Sequence, residues 1–394
     1  MPEHYDSIVI GAGIAGCCTA YALQKKGQKV LLVDRSAVAA SGGSGAAGAF
    51  VSPKIGKGSP LQTLTNEAFH FSKDFYLEHF PDYFHQTGLI RIPKDEEDAQ
   101  KFEIYEPFNE SKYRWVEKDA LEKTGIYNSE DSFMFEEAGV CDAPEMCEAI
   151  LEKVEFQQMN VGSLEWDGEF WNIALRQAQG PSVRQAQEPV AEVLVTELVE
   201  VVKAKNIVLS TGYQNKLFDM RYMGVKGTWG SRGDYISALD LKFSMHKSLS
   251  VSANVNGIVK IGATHVKGEE PCMRCDGEPL KELFTKASAL VDTSDFVLKE
   301  TFCGMRAGSK DYFPLAGRVI DVPFMLSEYP ALTRGAKPEL KHIDNLYICN
   351  GMGGRGFVFA PLMAEWLAES IVNQTEIDKR VNPDRLFLKW CRKL

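Results

Sequence analysis

The 394-residue chain is 44% hydrophobic and 25% charged, which excludes a disordered or fibrous protein and, at this length, predicts two domains rather than one core. No apolar run reaches the roughly 18 to 20 residues that span a bilayer, and a strand begins within a few residues of Met1, leaving no room for a signal peptide and predicting a cytoplasmic location with no membrane partner. The net charge of −10 argues against a polyanion partner only until its distribution is read: Asp95 to Glu137 holds 14 acidic and 5 basic residues, whereas Lys379 to Leu394 has six basic residues against Asp384 alone, so one face of the molecule can still be basic.

Ser7 to Ile10 is a short β-branched run with the look of a buried strand. Gly11, Gly13 and Gly16 follow as G-x-G-x-x-G, and Ile14, Ala15 and the small residues to Leu23 predict a helix packed tightly on a sheet. Gly27 ends that helix, Lys29 to Val33 forms a second strand, and Asp34 and Arg35 follow it. The glycines serve a tight turn, the approach of backbone to a pyrophosphate, and helix–strand contact. The diphosphate is expected on the helix N-terminus, with Asp34 accepting hydrogen bonds from a ribose. The next stretch, Ala39 to Phe50, is too rich in small residues for packed helix or strand. Its Ser41, Gly42, Gly48 and Ala49 are expected to lie against a large flat ligand, the alternative being a flexible linker. Leu61 to Phe80 carries Leu64, Ala68, Phe71 and Phe75 at helical spacing.

Short strands such as Gly88 to Ile92, and a helix near Val116–Leu121, are expected in the acidic, aromatic span that follows. Asp142 is expected to cap a helix through Leu151, with Pro144 in its first turn. A strand begins near Phe170, after which Arg176-Gln-Ala-Gln179 recurs as Arg184-Gln-Ala-Gln187; residues 176–190 read as an inserted polar loop. Asn206 to Gly212 is a strand ending in a small-residue turn, so Thr211 and Gly212 are candidate ligand contacts at its carboxyl end. Trp229 to Val266 reads as short strands of a second sheet. Leu346 to Cys349 is another buried strand, entering a second glycine-rich turn with Gly353, Gly354, Arg355, Gly356 and Phe357, after which Pro361 is expected to open a helix. The nine scattered cysteines suit reduced thiols. Cys272-x-x-Cys275 lacks the further ligands of a closed zinc site, and no metal is expected.

The ordered set GAGIAG, Asp34, ASGGSGAAGAF, STG at 210–212 and NGMGGRGFVFAPLMAEWLA resembles the FAD-dependent oxidoreductases of the D-amino-acid oxidase (DAO) family. CGMRAGSKDYFPLAGRVID, GMGGRGFVFAPLMAE and NPDRLFLKWCRKL resemble in particular the oxidoreductase half of a bifunctional tRNA-modifying branch. The resemblance implies an α/β fold: a Rossmann-type FAD-binding domain of the glutathione-reductase-like kind, with a second, strand-rich α+β substrate domain. The FAD domain is expected from residues 1–80, 136–222 and 303–394, and the substrate domain from 81–135 and 223–302. It further implies FAD as cofactor and oxidation of the carboxymethylaminomethyl group of a wobble uridine in tRNA to aminomethyl-uridine and glyoxylate. Dioxygen or another acceptor would reoxidise the flavin, and a separate tRNA methyltransferase would be a partner. A small-molecule amine oxidase acting on glycine, sarcosine or a D-amino acid is the alternative. Arg306 matches the family position beside the substrate carboxylate, where a planar guanidinium offers a bidentate grip, a structural ion pair being its other possible role. Lys310 and Asp311 are lesser catalytic candidates. Cys303 lies near, but out of register with, a covalent flavin attachment in some sarcosine oxidases. Lys54, Lys57, Lys226, Arg232 and the basic tail are the residues expected around a groove for RNA.

Overall fold

The strand His4–Ile10 lies within a seven-stranded sheet of the computed structural model, which describes residues 3–177, 198–214, 217–267 and 277–394. It pairs in parallel with Val30–Asp34 on one side and Leu198–Leu209 on the other. Glu155–Trp166 and His342–Asn350 extend the parallel set outward, and Leu315–Ile320 closes one edge in the antiparallel sense. Trp171–Gln177 pairs antiparallel with both Glu155–Trp166 and Leu198–Leu209, so Arg176 and Gln177 belong to a strand rather than to the polar loop expected from 176; the rest of that segment lies outside the described residues. Parallel strands covered on both faces are apolar throughout. Ile8, Val9, Leu31, Leu32, Ile207 and Val208 are accordingly fully buried. The sheet therefore collects strands from three separate stretches of chain.

The helices Ile14–Lys25, Pro60–His79, Ala143–Leu151 and Gly356–Asn373 share the core on one face of this sheet. The C-terminal helix Asp384–Cys391 packs with Tyr222 and Met223 in the core on the other. Pro361 does not open its helix: it lies inside Gly356–Asn373. Asp142 occupies the N-cap position of Ala143–Leu151 without capping it through its side chain. Its carboxylate instead takes His85 Nε2 at 2.7 Å and Lys260 Nζ at 3.0 Å.

A nine-stranded sheet forms the second layer. Lys226–Ile236 pairs along its length with Val297–Gly308, and its residues 232–236 pair with Ile258–Gly262. From there the sheet runs through Ser250–Val251, Ser244–His246, Leu89–Arg91 and Ser132–Phe135 to Arg114–Val116. The boundary expected at 303 falls inside Val297–Gly308, which carries Arg306 and belongs wholly to this second sheet. Among the described residues, Cys17, Cys18, Cys141, Cys147, Cys349 and Cys391 are free and buried. Cys303 is disulfide-bonded, which corrects the expectation of reduced thiols there and withdraws it as a flavin attachment point.

Candidate active site

The turn after the first strand is built from contacts that leave no room for a side chain. Gly11 has φ +109°, and a Cβ there would lie 2.5 Å from the Ser210 carbonyl oxygen. A Cβ on Gly16 would lie 1.8 Å from the Gly11 oxygen, so the helix can approach the turn only with glycine at that position. Gly13 precedes the first residue, Ile14, and supplies no side-chain cap. The Asp34 carboxylate accepts from the Ala12 N–H at 2.7 Å and the Ser36 N–H at 2.8 Å, each oxygen retaining a lone pair for a further donor. Arg35 is exposed beyond it.

The small-residue segment folds over this turn. Ser44 Oγ accepts from the Ile14 N–H at 3.0 Å, which places a hydroxyl at the helix N-terminus that the motif reserves for a diphosphate. Sequence reasoning passed over Ser44; its signal is one hydroxyl among glycines and alanines. Ser41 and Gly42 are exposed, while Ala49 is buried with φ +52°. The segment is pressed against the strand that bears Arg306: a Cβ on Gly43 would lie 2.4 Å from the Met305 oxygen, and one on Gly304 would lie 2.9 Å from Gly42 O and Gly43 Cα.

Arg232, expected beside an open groove, is instead fully buried. It pairs with Asp234 at 2.8 Å, donates to Gly45 O at 3.1 Å and also to Ala47 O, and stacks on Phe302. A guanidinium satisfies two loop carbonyls and a carboxylate together because its donors form a fixed fork. Arg232 therefore clasps the small-residue segment.

Thr211 and Gly212 follow the strand Leu198–Leu209 beside Gly11. Ser210 Oγ and Thr211 Oγ1 are buried without a hydrogen-bond partner. Buried hydroxyls are rarely left so, and here they flank the turn in which a dinucleotide would lie. The second glycine-rich turn joins them: Asn350 Nδ2 donates to Gly212 O at 2.7 Å, and Gly353, Gly354 and Arg355 lead into the helix that begins with Gly356 and the buried Phe357. The bare turns, the unpartnered hydroxyls and the acceptor capacity of Asp34 fit the ADP half of FAD.

Arg306 stands opposite Thr228 in the second sheet. Its Nη1 donates to Thr264 O at 3.1 Å, and a Cβ on Gly230 or Gly354 would meet its side chain at 2.3 or 3.7 Å respectively. Burial lowers its pKa from the ordinary value. It forms no ion pair among the described residues, leaving donors for an incoming carboxylate. Lys310, also expected near the chemistry, is exposed on the outer surface. There the Lys393 ammonium, with Lys389 and Lys226, pushes its pKa below the usual lysine value. Asp311 is held by Arg385 at 2.9 and 3.0 Å. Four further donations from Arg385 go to carbonyls of Val381, Asn382, Phe313 and Pro314, which removes this tail arginine from any open surface. His265 lies outside the strands with much of its surface in solvent, and partial desolvation of the ring with the Arg306 charge lowers its pKa. Among the described residues no cluster of His, Cys, Asp or Glu could hold a metal ion, and no helix is long and apolar enough to cross a membrane. Cys272 and Cys275 lie outside the described residues.

A model of the DAO family, FAD dependent oxidoreductase, matches residues 6–370. The chain is 24% identical over 424 residues to the tRNA 5-methylaminomethyl-2-thiouridine biosynthesis bifunctional protein MnmC of Shewanella amazonensis, and 25% identical over 404 residues to that of Stutzerimonas stutzeri. These alignments take in 98% and 97% of this chain but 60% and 59% of the relatives, so the chain spans about three-fifths of their length. In fold it is similar to glycine oxidase from Bacillus cereus, with TM-score 0.74, 18% identity, and coverage of 94% of this chain and 96% of that one. It is also similar to iminodiacetate oxidase from Chelativorans, with TM-score 0.70, 16% identity, and coverage of 96% and 99%.

Proposed function

Because this chain belongs to the DAO family of FAD dependent oxidoreductases, we propose that it oxidises the carboxymethylaminomethyl side chain of a tRNA wobble uridine. Family membership makes it a FAD-dependent oxidoreductase acting on a carbon–nitrogen bond; the tRNA-borne substrate is the step beyond. Bound FAD supplies the two-electron acceptor. Gly11, Gly13, Gly16, Ser44, Asp34, Thr211 and the turn at 353–357 would hold it. Arg306 grips the substrate carboxylate and so fixes which C–H faces the acceptor. Loss of two electrons and two protons converts the secondary amine to an imine, and water then divides the imine into aminomethyl-uridine and glyoxylate.

The observation that carries the RNA reading is electrostatic. Lys226, Lys310, Lys389 and Lys393 are all exposed, without ion pairs among the described residues, and close enough together to depress the Lys310 pKa. Lys226 pairs in register with Gly308, two residues along the strand from Arg306. Unpaired like charges gathered beside a buried clamp suit a phosphate chain whose modified base reaches inward. Incubation with tRNA bearing carboxymethylaminomethyl-uridine, followed by nucleoside mass analysis, should give aminomethyl-uridine and glyoxylate. Rapid flavin reduction by free glycine, sarcosine or a D-amino acid, with the modified tRNA leaving the flavin oxidised, would overturn it.

A further inference from the structure

Tyr312 projects from the surface in a backbone conformation that its side chain disfavours. Its φ is +68°, in the left-handed region where glycine or asparagine is the default and a bulky residue is an outlier. The residue is 77% exposed. Its ring meets no other ring, and its hydroxyl forms no hydrogen bond, among the described residues. Neither core packing nor local conformation accounts for a tyrosine here, so the strain points to a use outside the fold.

The turn that carries Tyr312 is fixed from both ends. The Ser309 N–H donates to Gly351 O at 3.2 Å, and Ser309 Oγ donates to Phe313 O at 2.6 Å. The Lys310 N–H donates to Met223 O at 3.4 Å, and a Cβ on Gly224 would lie 3.0 Å from Lys310 Cβ. The Arg385 guanidinium grips Asp311 and lies 5.9 Å from the Phe313 ring. A fixed turn thus presents the Tyr312 ring, at little entropic cost to whatever stacks on it.

The same contacts place the ring among cations. Lys310 precedes it by two residues, and Lys226 stands opposite Gly308, where the turn begins. Lys389 follows Arg385 by one turn of the helix Asp384–Cys391, so the Arg385–Asp311 pair brings that helix face beside Tyr312. Lysines attract phosphates without fixing which nucleotide sits where, whereas an aromatic face holds a base. Tyr312 follows Arg306 by six residues, so their Cα atoms lie within about 22 Å, near enough for one RNA loop to meet both.

We propose that Tyr312 is a stacking platform for an unpaired base of the RNA loop that carries the modified uridine. It is a positioning residue, which sets the register in which that uridine reaches Arg306. The proposal rests on the tRNA reading above.

The test uses the FAD-bound protein and tRNA bearing carboxymethylaminomethyl-uridine. Tyr312→Gly should weaken binding at least about fivefold, the scale of one lost base stack, and raise KM with little change in kcat. The slope of log affinity against log salt should stay at the wild-type value, since stacking releases no counterions. A flattened slope would show that the turn has moved its lysines, and would overturn the platform. Tm should hold or rise, because glycine relieves the left-handed strain. A lower Tm would give the ring to the fold instead. Tyr312→Asn, tolerated in the same conformation, is the second variant. Tyr312→Phe and Tyr312→Trp should bind like the wild type, and a loss shared by Tyr312→Phe would trace the effect to the hydroxyl and overturn the stack. Removing the loop bases one at a time should reveal one whose loss costs as much as Tyr312→Gly and adds nothing to it. Additive losses at every position overturn the proposal. A wild-type protein that leaves the modified tRNA unoxidised refutes the tRNA reading and the platform together. One that oxidises it, while Tyr312→Gly binds as tightly, refutes the platform alone.

Discussion

Asp142 sits where a helix N-cap belongs, and its residue type and position suggested that its oxygens accept from the first turn. They are drawn instead to His85 and to Lys260, whose ammonium also donates to the Cys141 carbonyl at 3.0 Å. A buried ammonium needs a counter-charge more than a helix needs one cap, because an unpaired charge out of water costs more than a lost capping bond. Burial would raise the Asp142 carboxyl, but the His85 hydrogen bond and the Lys260 charge outweigh it and hold it down at about 2. Since this lies below the unfolded value of about 3.9, the stabilisation is fully present above about pH 4 and is lost as pH falls toward 2. Asp142→Asn keeps the shape and leaves Lys260 unpaired, so it should cost about 3 kcal/mol in urea unfolding at neutral pH. Asp142→Asn with Lys260→Met should recover much of that loss, and a double variant as unstable as the single one would refute the pairing argument. Arg232 teaches a related lesson. Its charge was legible in the sequence, but the direction of its side chain depends on carbonyls of a loop 185 and 187 residues away.

At the scale of elements, the parallel strands were legible because burial on both faces writes itself as unbroken apolar runs, as at Ile8–Ile10 and Ile207–Leu209. The dinucleotide turn was legible because its glycines are dictated by local contacts. The start of the last long helix was not. Proline favours the first turn since its missing N–H has no partner there, so Pro361 pointed to a start five residues too late. Inside the helix, Pro361 leaves the Phe357 carbonyl without its usual donor. The Tyr76 hydroxyl takes that carbonyl at 3.0 Å, and Ser72 Oγ takes the neighbouring Val358 carbonyl at 2.7 Å. These donors stand 281 and 286 residues away in sequence, beyond the reach of any local rule. Tyr76→Phe keeps the ring packing and removes the hydroxyl that donates to the Phe357 carbonyl. The expected loss is about 1–3 kcal/mol, the cost of a buried carbonyl left unpaired, read as a lower Tm. Pro361→Ala in the Tyr76→Phe background should recover most of it by restoring the helical N–H, and no recovery would show that the hydroxyl acts elsewhere.

Across the whole molecule, the two segments that most strongly suggested RNA chemistry prove to be interlocked. The tail residue Arg385 is spent on Asp311 and on carbonyls of Phe313 and Pro314, while Asp384 takes His342 at 2.9 Å. Arg380 is likewise engaged, with Asp378 and Glu67. The basic tail therefore divides into Arg385, which fastens the C-terminus to the segment after Arg306, Arg380, which is held by Asp378 and Glu67, and lysines that form no ion pair among the described residues, a division that charge counting along the sequence could not make. Each class should fail differently. Arg385→Gln exposes Asp311 to burial without its partner, so it should lower Tm and leave the salt dependence of tRNA binding unchanged in the protein that stays folded. Lys389→Gln with Lys393→Gln should leave Tm nearly unchanged and weaken tRNA binding. Each phosphate contact contributes roughly −0.7 to the slope of log affinity against log salt on single-stranded RNA, so loss of both lysines should flatten that slope by about 1.4. The apparent KM for tRNA should rise with little change in kcat, because neither lysine touches the reacting carbon. A double lysine variant that binds with the wild-type slope would remove this face from the RNA interface and leave the polyanion to be held elsewhere on the molecule.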